Sequence, residues 1–218
     1  MKIKSFIVII TVAGFLSSCN KKDNFNYPEG TVGISKITYF PVLTMNGDQY
    51  VAIHVGGTYT EAGVTAKEGE SDLTVTTSGT VDVSTPGVYD LTYSAVNKDG
   101  FSASVRRFVA VYNTDPEAAG HDLSGIYQRV SNGVTNTWTK LAPGVYLVDN
   151  PGGAAGVNLQ VIVFNPTLYV IDIPEQVSSD GSVTSSTDET YSPGPPATYS
   201  MKIVNPTYGP ALRTFVKQ

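Results

Sequence analysis

Histidine occurs twice and cysteine once in these 218 residues, and only 15% of them are charged. A single cysteine excludes an intramolecular disulfide. His54, His121 and that one cysteine show no zinc-ligand spacing, and no Asp-x-Asp-x-Asp-Gly run offers a calcium loop. No window sustains apolar residues at i, i+3, i+4 and i+7, so no amphipathic helix is expected. The charged fraction falls below the usual quarter or so. Thr, Ser, Val, Gly and Tyr make up the difference, and these favour strands and turns.

Positive charge is scarce as well. The net charge is −5, and without Lys2 and Lys4 the remaining 12 basic residues face 19 acidic ones, a balance of −7. A body of that sign repels phosphate backbones, and no basic patch offsets it. Nucleic acid is excluded as a partner.

The lone cysteine, Cys19, follows a recognisable leader. Met1-Lys2-Ile3-Lys4 is a short basic start, and Phe6 to Leu16 is an apolar stretch of about 11 residues, the length of a signal peptide's apolar core. A bilayer span needs roughly 20. Leu16-Ser17-Ser18-Cys19 then resembles the lipobox of bacterial lipoproteins. That resemblance implies acyl chains on Cys19 and cleavage before it, so residues 1–18 are expected to be signal peptide and 19–30 a polar tether. Several acyl chains, at about 0.8 kcal/mol per buried methylene, hold a soluble body to a membrane. The membrane is thus an expected partner through the lipid anchor.

Beyond the tether the chain reads as two β modules, 31–113 and 121–218, joined by the polar stretch Asn113-Thr114-Asp115-Pro116-Glu117-Ala118-Ala119-Gly120. In the first, strands are expected at Ile34 to Leu43, Gln49 to Val55, Leu73 to Val75, Thr80 to Val83 and Ala103 to Tyr112, with Asn46-Gly47 and Asn97-Lys98-Asp99-Gly100 as turns. Tyr89, Leu91, Tyr93 and Ala95 alternate with Asp90, Thr92 and Ser94, which marks a strand with one wet face. Several short strands in about 80 residues argue a sandwich.

Three stretches of this module carry a resemblance: Gly57 to Ala66 (Gly-Thr-Tyr-Thr-Glu-Ala-Gly-Val-Thr-Ala), Gly79 to Asp82, and Pro86 to Tyr93 (Pro-Gly-Val-Tyr-Asp-Leu-Thr-Tyr). With the closing Arg107-Phe108-Val109-Ala110-Val111, they resemble the bacterial surface Ig-like domain over roughly residues 38 to 112. The resemblance implies an Ig-like β-sandwich, a spacer on surface proteins with no catalytic residues of its own.

The second module is expected to be antiparallel, either sandwich or small barrel, with Val161 to Phe164, apolar on both faces, at its centre. Ser178 to Thr198, rich in Ser, Thr, Pro and Gly, reads as a long polar loop. Asp122-Leu123-Ser124-Gly125-Ile126-Tyr127 and Pro143 to Asp149 resemble the C-terminal domain behind such Ig-like modules in Bacteroidetes surface lipoproteins of polysaccharide-utilisation clusters.

Catalysis finds little to work with. His54 and His121 are the only imidazole bases, no Gly-x-Ser-x-Gly elbow occurs, and Gly152 to Gly156 lacks the Lys-Ser/Thr of a phosphate loop. Asp122, Asp149, Asp172, Glu175, Asp180, Asp188 and Glu189 could supply a glycosidase pair, but any β surface scatters as many. No catalytic residue, cofactor or metal is expected. Aromatics remain, because sugar rings stack their C–H faces on exposed rings. Trp138, set among Asn136, Thr137 and Thr139, Tyr146, and Tyr191 in the polar loop are the ligand-binding expectations; the alternative is that Trp138 plugs the core. Together these features predict an all-β, non-catalytic lipoprotein of the cell envelope, outer-membrane-bound and surface-exposed, that binds glycan. The rival is an assembly lipoprotein whose distal module binds another envelope protein.

Overall fold

The computed structural model describes residues 27–32 and 35–218. The signal peptide and Cys19 lie outside the described residues, as does most of the tether. Among the described residues no helix is long and apolar enough to cross a membrane. One compact unit ends at Thr38; within it β1 (Thr31–Val32) and β2 (Ser35–Lys36) pair antiparallel. The other, Tyr39–Gln218, holds both β modules.

In the first module β3 (Val42–Met45), β5 (Val64–Glu68) and β6 (Ser71–Asp72) form one sheet. β4 (Tyr50–His54), β7 (Thr76–Ser78), β8 (Gly87–Val96) and β9 (Ser102–Tyr112) form the other, in the order β4-β9-β8-β7. β4 runs parallel to β9, from Tyr50 opposite Phe108 to His54 opposite Tyr112. Leu91, Tyr93 and Val109 are buried between the sheets with Leu43, Val51, Ile53 and Val64 around them, so the module is the expected sandwich. The strand expected at Thr80 to Val83 is absent. Asp82 instead accepts from the Ser84 amide and from the Ser84 and Thr85 hydroxyls, which bends the chain into a turn while Val81 still packs inward. Leu73 to Val75 is likewise not strand, and of the expected opening strand only Ser35–Lys36 and the stretch from Val42 are strand among the described residues.

The outer face of β4, β8 and β9 is also apolar. Phe108, Ala110 and Tyr112, flanked by Tyr50, Ala52 and Val88, pack against Val145, Ile162 and Phe164 of the second module. The joining stretch is not a free linker. It forms a single helical turn, α1 (Pro116–Ala119), with Ala118 buried and the Asp115 amide donating to the Pro166 carbonyl. The two modules therefore share a core, and the first does not hold the second at arm's length.

The second module is one curled, half-barrel sheet. It comprises β10 (Gly125–Arg129), β11 (Thr135–Ala142), β12 (Val145–Asp149), β13 (Gln160–Thr167), β14 (Val170–Asp172), β15 (Gln176–Val177), β16 (Val183–Ser192), β17 (Thr198–Val204) and β18 (Arg213–Lys217). Their order is β14-β13-β12-β11-β10-β18-β17-β16-β15, antiparallel throughout. Side chains draw its edges together. The Gln176 amide both accepts from the Ile162 N–H and donates to the Ile162 carbonyl, each at 2.8 Å, and the Ser186 hydroxyl accepts from the Ile173 amide.

Two expectations change here. Val161 to Phe164 lies on β13, second from the sheet edge; its double-sided apolarity arises because Val161 and Val163 face the module core while Ile162 and Phe164 face the first module. The supposed loop Ser178 to Thr198 contains the ten-residue strand β16. Its Thr and Tyr residues suit a pleated surface, and a register shift between Thr187 and Thr190, with Asp188 in the left-handed region at φ 56°, blurs the alternation.

Candidate functional site

One end of the half-barrel opens into a cleft of about 410 Å³, lined by His121, Asp122, Tyr191, the Pro193–Ala197 loop, Lys217 and Gln218. Its lip is built by tyrosines beneath it. The Leu123 amide donates to the Tyr146 hydroxyl at 3.1 Å, and that hydroxyl donates to the His121 carbonyl at 3.1 Å. Tyr127 donates to the Leu123 carbonyl at 2.9 Å. The backbone from His121 to Ser124 is thereby pinned over the aromatic core, and the Asp122 side chain is held at the surface.

The Ser124 amide donates to Asp122 Oδ1 at 2.9 Å and is the main reason the carboxyl titrates below its usual value. Lys140 Nζ stands 4.0 Å from Asp122 Oδ2. Lys217 donates to the Asp122 carbonyl at 3.3 Å, and its ammonium lies 5.7 Å from the centre of the Tyr127 ring. Gly125 makes room for this: its φ is +135°, and a Cβ there would sit 3.0 Å from Lys217 Cε. The cleft thus offers an ionised acceptor, a cationic donor and an imidazole around an apolar floor.

The aromatic residues singled out in the sequence come together, but in the core of the second module. Trp138 is 2% exposed, and its indole N–H donates to the Tyr199 hydroxyl at 3.3 Å. Its ring is 5.5 Å from Tyr127, 5.7 Å from Tyr146 and 5.1 Å from Tyr199. Tyr146 is fully buried. Neither ring presents a face to solvent, so neither stacks on a sugar; for Trp138 the core alternative holds. The polar neighbours of Trp138 misled because Thr137 and Thr139 point outward, while Asn136 turns inward and donates to Tyr199. Tyr191, 9% exposed, is the one of the three that reaches the cleft, and burial raises its hydroxyl above the usual value.

His121 and Asp122 enter the sequence reading only as weak catalytic candidates, and Lys217 does not enter it at all. Only the fold assembles them, since Asp122 and Lys217 lie 95 positions apart. His54 is elsewhere, its Nε2 3.1 Å from the Tyr112 hydroxyl in the first module. Among the described residues no group of three or more His, Cys, Asp and Glu could hold a metal.

Residues 43–111 match the family model for the Ig-like domain of bacterial surface proteins. The match covers the sandwich and stops before α1. No curated protein matches the chain. Among solved structures the chain is similar to the lipoprotein BT2262 from Bacteroides thetaiotaomicron, at 26% identity and a TM-score of 0.42 over 82% of this chain and 100% of that one. It is also similar to part of the M60 catalytic domain with the CBM51-1 and CBM51-2 domains from Clostridium perfringens ZmpB, at 9% identity and a TM-score of 0.31 over 84% of this chain and 22% of that one. Neither likeness is close enough to carry over a site or an activity.

Proposed function

We propose that the chain is a non-catalytic lipoprotein of the cell envelope, anchored to the outer membrane through Cys19 and surface-exposed, whose cleft between Asp122, Tyr191 and Lys217 binds glycan for a polysaccharide-utilisation system. The match of residues 43–111 to a bacterial surface domain supports the envelope setting, and the leader before Cys19 supports the anchor. The observation that carries the glycan reading is the cleft itself. At about 410 Å³ it falls in the range of small-molecule sites, roughly 300–1,000 Å³, and it sets a carboxylate and an ammonium beside a tyrosine edge. Sugar hydroxyls need such acceptors and donors. A binding role without turnover fits the histidines: His54 is bonded to a tyrosine, and among the described residues neither imidazole is bonded to a Ser, Thr or Cys nucleophile.

Calorimetric titration of the full chain in detergent against a glycan panel tests this. At least one glycan is expected to bind, with the affinity reduced about tenfold or more by Lys217→Met. Silence across the panel would overturn the reading. Mass spectrometry of the native polypeptide tests the anchor, and an intact leader would remove it.

A second reading rests on a different surface. Phe40 and Phe101, 60% and 45% exposed, have ring centres 4.9 Å apart on the Ig-like module, with Tyr39, Val42 and Val96 also exposed. Apolar clusters of this kind mark protein contacts. An envelope protein that co-purifies in stoichiometric amount, and is released by Phe101→Asp, would favour an assembly role carried by the Ig-like module in place of the distal one.

A further inference from the structure

Strand β18 runs between the two ends of the half-barrel. Lys217 stands at the cleft end; Arg213, four residues earlier and about 13 Å away along the strand, points to the same face at the other end. Arg129 of β10, whose Cα partner on β18 is Phe215, joins Arg213 there.

Both guanidiniums are tied to loops. Arg213 donates to the carbonyls of Ala211 at 2.8 Å and Gly209 at 2.9 Å, and lies 5.2 Å from the centre of the Tyr208 ring. Arg129 donates to the carbonyls of Gly152 and Gly153 at 3.3 and 3.2 Å. Gly152 lies directly under the Tyr208 ring, where a Cβ would sit 2.3 Å from a ring carbon. The carbonyls hold the Nη donors but supply no counter-charge.

Arg213 is 5% exposed, and among the described residues neither arginine has a carboxylate within ion-pair distance. Instead, these two cations lie close enough for each to feel the other's charge. Burial, and after it the charge of Arg129, lowers the Arg213 guanidinium from its usual value. In addition, the Nε–H of each residue is buried with no acceptor. Buried charges and buried N–H donors are ordinarily matched. Two planar forks with spare donors and surplus positive charge have the chemistry that recognises a carboxylate or a sulfate.

We propose that Arg129 and Arg213 form an oxyanion site that takes one carboxylate or sulfate group, either as a free anion or as a substituent on an acidic saccharide. The site is separate from the cleft and does not depend on the glycan reading of it.

The test is calorimetric titration of the full chain in detergent, at fixed ionic strength, with sodium sulfate and separately with trigalacturonate. One equivalent of anion is expected to bind, weakened at least tenfold in Arg129→Gln and in Arg213→Gln. Arg129 is only half-buried, so its variant keeps the test decisive if Arg213→Gln does not fold. Trigalacturonate bound tenfold or more tightly than sulfate assigns the anion to a saccharide; equal affinities assign it to a free ion. Two results would overturn the site: no binding of either probe to the folded chain, or binding that Arg129→Gln leaves intact. Trigalacturonate binding that falls only in Lys217→Met would belong to the cleft and would count against the arginine site while supporting the glycan reading.

Discussion

Tyr112 of the Ig-like module and Phe164 of the distal module meet with ring centres 6.5 Å apart, inside an apolar contact that also takes in Phe108, Val145 and Ile162. Because both partners are buried, loss of one side is felt by the other. Phe164→Ala is expected to cost about 3–5 kcal/mol and to lower the melting of both modules together, as one calorimetric transition. A first transition confined to the distal module, with the Ig-like module unmoved, would show that the contact transmits nothing.

Trp138 gives an optical reporter of the core. As the sole tryptophan, 2% exposed and bonded to Tyr199, it is expected to emit at short wavelength and to resist quenching by iodide and acrylamide. Trp138→Phe, which keeps most of the packing, should be tolerated far better than Trp138→Ala, at about 3–5 kcal/mol. Ready quenching by iodide would place the indole at the surface and restore it as a glycan platform.

How far these features could be read beforehand depends on whether one strand alone determines them. The alternation of Leu91, Tyr93 and Ala95 against Asp90, Thr92 and Ser94 is local, and the first set is buried as expected. The double apolarity of Ile162 and Val163 was also visible, but its cause, a second module packed on the far face, was not. β16 was hidden because Ser and Thr serve loops and strands alike, and its bulge at Asp188 interrupts the period. Trp138 failed for a related reason, since a core aromatic on a half-buried strand has polar sequence neighbours by necessity. The cleft was beyond reach, because His121, Asp122, Tyr191 and Lys217 converge only when β18 pairs beside β10.

Gln176 replaces a stretch of missing sheet edge. With its side-chain amide serving both polar groups of Ile162, Gln176→Leu leaves a buried N–H and a buried carbonyl without partners. Each such loss costs about 1–3 kcal/mol, so a destabilisation of about 2–6 kcal/mol is expected. Hydrogen exchange at the Ile162 amide should accelerate in step. Unchanged protection there would mean that another group closes the edge.

Asp172 is a carboxyl held against its preference. Burial, and secondarily the Glu189 carboxylate, raises it above the ordinary 3.8. Between that value and the raised one, the folded chain binds a proton that the unfolded chain has released, so stability falls as pH rises through this window, and the deficit persists at neutral pH. Asp172→Asn keeps the shape and removes the charge. It is expected to stabilise the protein at pH 7 by about 0.5–2 kcal/mol, a few degrees in Tm, with the gain shrinking below the unfolded-state value, where the wild-type carboxyl is protonated in both states. Melting curves of the two proteins at pH 7 and pH 3 decide the matter. A gain that does not shrink at pH 3 would point to packing, and a loss at pH 7 would reveal that the ionised carboxylate has a favourable partner.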